Sequence, residues 1–413
     1  MRKSKTVTLA DGRTGVQVTL PFDPQSVLSD AFEAFATDLG ITVIEGLLED
    51  EADQLAGMKH AKRDGRDAYR HGYEQGSVVF AGKKLAIHRP RLRNADGELD
   101  LGRYALFKTE RKMQDSVKKK LLAKISTRKY EGIVDEIAEG YGIRKSSVSR
   151  HWKAATAEEL AKLTTRSLQG LDLVAILLDG VHFQGEVLVV GLGIARDGKK
   201  HVLGLWEGTT ENSQTVTNLL ENLCQRGLET ATPRLFILDG GKALTKGVKA
   251  VFGENAIIQR CLVHKIRNVL ENLPKNHHWR IRAQMRIAYG MNSYDDAHKA
   301  LEKLLKELDN LCSPAANSLR EGMEETLTLH RLGIPSTIRT VLSSTNAIEN
   351  VFSTMRQHTN RVRNWKSGPG MRPRWAAAAL LDSEKRFHRV KNNGLLTDVC
   401  NLLAAKKSKT QTA

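Results

Sequence analysis

Two stretches of the chain carry uninterrupted apolar residues, and each ends at an aspartate followed by glycine. Residues 173–178 precede Asp179, and residues 235–238 precede Asp239. Because the apolar residues do not alternate with polar ones, each stretch predicts a strand buried on both faces of a sheet. Ligands collect at the carboxyl ends of strands in such sheets. Two carboxylates held together there repel one another unless a cation lies between them, and hard divalent ions favour oxygen ligands, so the pattern predicts a metal site.

The surrounding pattern predicts a mixed α/β sheet. Two further strands, 187–195 and 201–206, are separated by the hairpin turn Asp197-Gly198-Lys199. The remaining predicted elements are a helix over 211–227, a helix over 242–252 and a strand over 256–259. Three strands, a helix, a strand, a helix and a strand are the order of a ribonuclease-H-like domain, whose sheet is antiparallel first and parallel afterwards.

A helical stretch follows, and a second carboxylate-bearing segment comes after it. Residues 265–335 show helical periodicity without a strand signal. The next helix begins near Ser344 or Thr345, either of which is a suitable N-cap, and it places Glu349 and Arg356 near one face. Glu349 is the best candidate for a third acidic residue at the predicted site.

The N-terminal part reads as helices and a hairpin. We predict helices over 26–40 and 41–58, strands over 77–82 and 84–93, and a basic helix over 104–124. Residues 59–76 are polar, with Tyr69 and Tyr73 among basic residues. This stretch is compatible with a solvated loop and with a segment that follows a phosphate backbone.

Residues 130–153 have the pattern of a helix-turn-helix. Ile133 and Ile137 lie on a first helix, Gly140 and Gly142 mark a turn, and a second helix begins near Ser146. In such motifs the second helix enters the major groove of DNA. Its predicted DNA-contacting side chains are Ser146, Ser147, Ser149, Arg150 and Lys153. An ordinary helical hairpin is the alternative.

The charge balance points to a polyanionic partner. The 413 residues include 64 Lys+Arg and 47 Asp+Glu, a net charge of +17, and the pI is about 9.7. Nucleic acid is the commonest partner of so basic a chain, and a membrane surface is the weaker alternative. No apolar run reaches the roughly 18 residues of a membrane span, and the N-terminus lacks a secretion signal. Four well-separated cysteines fit a reducing compartment, so we expect a cytoplasmic, nucleoid-associated protein without membrane contact.

Phosphoryl transfer by two metal ions needs at least three carboxylates, and Asp179, Asp239 and Glu349 are the predicted set. The helix that carries Glu349 continues into three arginines that suit DNA phosphates: Arg356, Arg361 and Arg363.

Cys261 and His264 have the spacing of two zinc ligands, with His277 and His278 as the other two. A structural or DNA-contacting role is the favoured alternative, because no second pair of cysteines is present. Three tryptophans near basic residues suit either base stacking or core packing: Trp279, Trp365 and Trp375.

Together these motifs resemble the Mutator-like transposases, in the branch of bacterial insertion-sequence enzymes. The resemblance covers Tyr69 to Trp375 and is carried, in order, by Asp179-Gly180, Asp239-Gly240-Gly241, Cys261-Leu262-Val263-His264 and Ser344-Thr345-Asn346-Ala347-Ile348-Glu349-Asn350. It implies an Asp, Asp, Glu site on a ribonuclease-H-like fold that is interrupted by an all-helical insertion before the glutamate.

The resemblance also implies an activity. The three carboxylates would hold two Mg²⁺ (or Mn²⁺) ions, water would cut the transposon ends, and the exposed 3′-hydroxyl would attack target DNA without a covalent enzyme intermediate. The helix-turn-helix would recognise the terminal inverted repeats. Because two ends must be held at once, a homodimer or larger assembly is expected.

These readings give a division into five segments: an N-terminal helical and hairpin region (1–103), a helix-turn-helix domain (104–168), the first part of the catalytic domain (169–264), the helical insertion (265–335), and a closing segment with Glu349 and the C-terminal tail (336–413). Two alternatives remain open at this point. A helix-turn-helix regulator would bind DNA without catalysis, and a structure-specific nuclease of the same fold would cut strands without joining them.

Overall fold

The computed structural model describes residues 4–8, 14–18, 24–59, 67–80, 83–108, 110–125, 129–210, 212–362, 365 and 370–410. These residues form two units. The N-terminal unit comprises Met1–Val117 and Val134–His151, and the C-terminal unit comprises Lys118–Ile133 and Trp152–Ala413. The five-segment division made from the sequence stays a prediction.

The N-terminal unit begins with an antiparallel pair, β1 (Ser4–Thr8) and β2 (Thr14–Val18). A long helix, α1 (Pro24–Ala56), follows. The prediction of two helices here is wrong, because the chain stays helical through Gly40. This glycine is needed for contact rather than for a break: a Cβ at Gly40 would lie 2.6 Å from the ring of Phe80.

A three-stranded antiparallel sheet packs with α1. It consists of β3 (Ala68–Phe80), β4 (Lys83–Asn94) and β5 (Gly97–Leu99) in that order, and Leu48, Ile87 and Leu92 lie in the shared core. Strand β3 begins earlier than predicted, so residues 68–76 are strand rather than loop. Arg70 explains the difference, because its guanidinium pairs with two carboxylates of α1, Glu49 and Asp53. Residues 60–66 of the polar stretch lie outside the described residues.

The basic stretch predicted as one helix is two, α2 (Gly102–Phe107) and α3 (Glu110–Lys124). Helix α4 (Tyr130–Gly140) and helix α5 (Lys145–Thr165) follow. The turn between them contains Gly142 with φ +62°, and the amide of Ile143 donates to the carbonyl of Ala138 at 2.9 Å. Two helices joined by a short turn that contains glycine match the predicted local structure.

The C-terminal unit is built on a five-stranded sheet in the order β10-β9-β6-β7-β8. Its elements are β6 (Leu173–Phe183), β7 (Glu186–Ala195), β8 (Lys200–Gly208), α6 (Ser213–Gln225), β9 (Arg234–Leu238), α7 (Lys242–Phe252) and β10 (Ala256–Arg260). Strands β6, β7 and β8 pair antiparallel, whereas β6–β9 and β9–β10 pair parallel. The predicted element order and the mixed α/β class are confirmed.

Seven helices follow before the segment that carries Glu349. They are α8 (Leu262–Glu271), α9 (His278–Gly290), α10 (Tyr294–Leu311), α11 (Ser313–Arg320), α12 (Met323–Thr326), α13 (Thr328–Arg331) and α14 (Ser336–Leu342). The apolar residues of α8 to α12 form a separate core that includes Val269, Ile281, Leu301 and Leu308. Leu301, Leu304 and Leu308 form an apolar stripe on α10 that packs into this core. The apolar residues of α13 and α14, such as Leu329 and Ile338, join the core of the sheet.

In the described part of the chain after residue 345, the α-helices are α15 (Asn346–Thr359), α16 (Met371–Glu384) and α17 (Leu396–Thr410). Each face of the sheet has its own core. Ile176 and Leu178 of β6 pack with residues of α6 and α7 on one face, and Ala175 and Leu177 pack with residues of α15, α16 and α17 on the other. This double covering is the reason that β6 is apolar without alternation. No helix among the described residues is long and apolar enough to cross a bilayer.

Candidate active site

Asp179 and Asp239 lie at the same edge of the sheet. The parallel pairing of β6 with β9 ends at Leu178 and Leu238, so each aspartate immediately follows the last paired residue. The prediction that the strand ends at Asp179 is wrong. Strand β6 continues to Phe183 and forms a hairpin with β7, in which Asp179 pairs with Val190. The predicted juxtaposition arises because β9 stops there.

A tight turn fixes the second aspartate. The amide of Gly241 donates to Asp239 Oδ1 at 2.7 Å, and α7 begins immediately afterwards. Gly240 has φ +103°, and a Cβ there would lie 2.1 Å from the Arg260 side chain. Glycine is therefore required at this position for its conformation and for its size.

Glu349 lies in the first turn of α15, and Thr345 holds its carboxylate. Thr345 is the N-cap residue, but its side chain makes no cap hydrogen bond. Its hydroxyl lies 2.9 Å from Glu349 Oε1 instead. The sequence suggested Thr345 only as a cap; its spacing of four residues from Glu349 is the signal for the contact observed, because such residues are neighbours on a helix.

Cys261 and His264 belong to the same network. Cys261 is fully buried, and its Sγ lies 3.3 Å from both the amide and the hydroxyl of Thr345. His264 approaches the same hydroxyl through Nδ1 at 3.2 Å and Glu349 Oε1 through Nε2 at 3.8 Å. Thr345 therefore joins the Cys261–His264 motif to the glutamate.

The charges of this network stabilise one another. Burial by itself raises the pKa of the Cys261 thiol, but hydrogen bonds from His264 and Thr345 outweigh it and hold the pKa below its ordinary value. The hydrogen bond with Cys261 raises the pKa of His264 against the effect of burial. The two shifts have opposite directions, and both side chains contact the hydroxyl of Thr345.

The histidines proposed as further zinc ligands have other neighbours. His278 Nε2 lies 2.8 Å from the carbonyl of Leu273, and His277 lies beside Asn276. These contacts, with Sγ of Cys261 directed at Thr345, give no support to the zinc interpretation and favour the structural one.

The three carboxylates act on one another electrostatically. Burial raises the pKa of Asp179 to about 7, the charges of Asp239 and Glu349 add to this shift, and the charge of His264 opposes it. In the part of the chain that the structure describes, no three acidic, histidine or cysteine side chains are arranged to hold a metal ion. Glu349 is directed at Thr345 and His264. The donor set nevertheless suits a hard divalent cation, because it is all carboxylate and its mutual repulsion is only partly balanced.

The predicted DNA-contacting residues are mostly at the surface. Ser146, Ser149, Arg150 and Lys153 of α5 are exposed, and Ser147 is half-buried. Arg356 and Arg361, at the end of α15 and just beyond it, are also exposed. Arg363 lies outside the described residues.

The three candidate tryptophans differ in their surroundings. Trp375 is buried and contacts the rings of Trp152 and Trp365. Trp365 also packs edge-on against Phe183. Core packing therefore accounts for these two, whereas Trp279 is 74% exposed.

Fold and site together define a mixed α/β protein with acidic side chains gathered where parallel pairing of its central strands ends. A sequence model of the Mutator family of transposases matches residues 22–369. The chain belongs to this family, as its motifs predicted, and is a transposase in its general function.

Named relatives agree with this assignment. The chain is 27% identical over 332 residues to the transposase of insertion sequence ISRM5 from Rhizobium meliloti, covering 78% of this chain and 81% of the relative. It is 25% identical over 333 residues to the IS256 transposase of transposon Tn4001 from Staphylococcus aureus, covering 78% and 83%. With the IS6120 transposase of Mycolicibacterium smegmatis it shares 28% identity over 264 residues, covering 62% and 79%.

Proposed function

We propose that the protein is an insertion-sequence transposase of the Asp, Asp, Glu type, with a ribonuclease-H-like catalytic core that cuts and joins DNA strands. The position of Asp179 and Asp239 where the pairing of β6 with β9 ends carries the proposal, with Glu349 near them. Burial raises the pKa of Asp179, and the charges of Asp239 and Glu349 add to the shift. Repulsion among carboxylates costs stability, and a divalent cation removes that cost.

Asp179, Asp239 and Glu349 would hold two Mg²⁺ or Mn²⁺ ions, which activate the attacking oxygen and stabilise the leaving oxygen of a phosphodiester. The protein fixes the carboxylates. Asp179 is held by the ladder between β6 and β7, and Asp239 by the Gly241 amide. Glu349 would exchange its hydrogen bond with Thr345 for the cation, while the Cys261–His264 pair keeps Thr345 in place.

The proposed DNA substrate is a duplex with the terminal inverted repeats of the element. The exposed side chains near the start of α5 support binding of the repeats, because short hydroxyls followed by arginine suit contacts in the major groove. Arg356 and Arg361 follow Glu349 on the chain and suit the phosphates near the cleaved bond. Since both ends of the element must be held together, we propose a dimer or larger assembly.

Asp239→Asn tests the catalytic proposal. The variant keeps the size of the side chain and its contact with Gly241 but loses the negative charge. We expect it to bind a duplex carrying the inverted repeats as the wild type does, and to lose Mg²⁺-dependent strand cleavage by at least about a thousandfold. Asp172→Asn is the matched control, because Asp172 is exposed at the other end of β6 and pairs with Arg196; it should cleave normally.

Undiminished cleavage by Asp239→Asn would refute the assignment. The same assays separate the alternative functions. A regulator would bind the repeats and never cut them. A nuclease of the same fold would cut a donor duplex without joining its 3′ end to target DNA, so strand transfer by the wild type is the result that the proposal requires.

A further inference from the structure

A groove of about 630 Å³ lies between α8, α9 and α14. Val263 and Ile266 of α8 supply apolar lining, and four arginines line it as well: Arg267, Arg282, Arg286 and Arg339. Arg339 is buried and donates to the carbonyl of Met291. The volume is within the range of sites that enclose a small organic ligand, about 300–1,000 Å³. The candidate active site uses none of these residues.

The groove has an excess of positive charge. Arg267, Arg282 and Arg286 are exposed, and within the described residues no carboxylate lies within ion-pair distance of them. Arg280, which lies on α9 with Arg282 and Arg286, is by contrast paired with Glu307. Glu271 is the acidic residue in the lining, so the balance favours an anionic ligand.

An exposed indole extends the same surface. Trp279 precedes Arg282 by three residues and Arg286 by seven, which places all three on one face of α9. Its side chain is 74% exposed. An exposed aromatic ring beside cations suits the flat face of a nucleic-acid base together with its phosphate.

The groove is one helix away from the carboxylates. His264 on one side of α8 approaches Glu349, while Val263 and Arg267 line the groove. The amide of Leu262 donates to the carbonyl of Ser343 at 2.9 Å, and Thr345 follows two residues later. A strand bound at the carboxylates therefore has to travel only about the width of a helix, roughly 10 Å, to enter the groove.

We propose that this groove binds an unpaired nucleotide of the DNA strand adjacent to the cleaved bond, with its base on Trp279 and the apolar lining and its phosphate on the arginines. The nucleotide must be unpaired, because the base faces in a duplex are covered by stacking and reach an aromatic side chain only after leaving the stack. The proposal rests on the proposed function for the identity of its ligand, DNA.

The test measures binding to the full-length protein in EDTA, without divalent metal. The probes are a short fluorescein-labelled thymidine strand and a mixed-sequence duplex of the same length. We expect Trp279→Ala and the double variant Arg282→Gln/Arg286→Gln each to bind the single strand about tenfold more weakly than the wild type. Affinity for the duplex should fall no more than in the control. All three side chains are exposed, so thermal unfolding should match the wild type.

Lys299→Gln/Lys303→Gln on α10 is the control. Both lysines are exposed, they have the same spacing of four residues, and the change in net charge is identical. Loss of single-strand binding equal to that of the control, or equal loss for strand and duplex, would overturn the proposal. A strand containing 2-aminopurine adds a direct readout: its fluorescence should be quenched on binding to the wild type and remain unquenched with Trp279→Ala.

Failure here is distinguishable from failure of the catalytic proposal. Asp239→Asn should bind the single strand as the wild type does in this metal-free assay. Normal cleavage with no effect of the groove variants would refute the groove alone. Binding in the groove by a protein that never cuts DNA would refute the catalytic assignment alone.

Discussion

At the scale of single residues, the buried position of Asp179 disfavours the ionised carboxylate that the proposed chemistry needs. The residue is only 7% exposed, and two other carboxylates act on its side chain, so ionisation is unfavourable in the folded chain. A residue selected for stability alone would be neutral here, as the apolar residues on both sides are. Such locally unfavourable groups concentrate at functional sites.

We predict that Asp179→Asn changes the dependence of stability on pH. The pKa of Asp179 is raised to about 7 from an ordinary value of 3.8. Between these values the unfolded chain has lost a proton that the folded chain retains, so stability falls as pH rises from about 4 to about 7. Above pH 7 the full penalty, at most about 4 kcal/mol, is present. The variant should therefore gain stability over the wild type as pH rises.

Thermal unfolding in EDTA at pH 5 and pH 8 measures this effect. The variant should exceed the wild type by more at pH 8 than at pH 5, and added Mg²⁺ should raise the melting temperature of the wild type only. A difference between the two proteins that is the same at both pH values would contradict the assignment of the shift to Asp179.

Thr345 acts through its neighbours. We predict that Thr345→Val, which replaces the hydroxyl by a methyl group of similar size, lowers strand cleavage about tenfold or more and raises the Mg²⁺ concentration needed for half-maximal activity. The reason is that Cys261, His264 and Glu349 lose their common hydrogen-bonding partner. Binding of the inverted repeats should not change.

Thr345→Ser supplies the control, since it restores the hydroxyl in the same position. A serine variant as impaired as the valine variant would show that packing of the methyl group, rather than the hydrogen bond, is what the site needs. A valine variant with normal Mg²⁺ dependence would exclude a role in positioning Glu349.

At the scale of elements, the turn after β9 determines where Asp239 lies. Gly240 and the start of α7 leave the aspartate no freedom to move away from β6. We predict that Gly240→Ala destabilises the protein by about 1–3 kcal/mol through its positive φ, with a further loss from the clash with Arg260, and abolishes cleavage.

Denaturant unfolding and the cleavage assay test this together. Gly132→Ala in α4 is the control, because a Cβ there meets nothing within 4 Å and alanine favours helix; it should be neutral or stabilising. Full activity in Gly240→Ala would show that the geometry of this turn is not needed for catalysis.

The sequence predicted some elements well and others poorly, for physical reasons. Helix α7 has the predicted bounds because glycines precede and follow it. The end of β6 was missed, although Val181 and Phe183 are buried while His182 is exposed, which is the alternation of a strand. The continuous apolar run before Asp179 gives no sign that buried and exposed residues alternate after it. The local pattern predicts a break in α1 at Gly40, because the contact of this glycine with Phe80 cannot be read from the sequence around it.

At the scale of the whole molecule, the candidate site combines residues that are remote along the chain. The position of Asp179 and Asp239 at one edge of the sheet was predictable, because buried parallel strands share an edge, although β6 continues past Asp179. Glu349 was predicted as a partner from its carboxylate and the motif around it. The link through Thr345 and the groove beside α8 were not predictable, since both depend on how α8 and α14 approach each other across the five helices between them.

That approach also bears on how such a chain can diversify. The hydrogen bond from Leu262 to Ser343 brings the departure and the return of the helical stretch together. Helices α8 to α12 lie between those two residues and have a core of their own. We expect that the number of helices in this part can change without displacing Glu349, provided that the two ends still meet and that α13 and α14 keep their packing on the core of the sheet. Related enzymes can therefore keep one chemistry while exchanging the surface that guides their substrate.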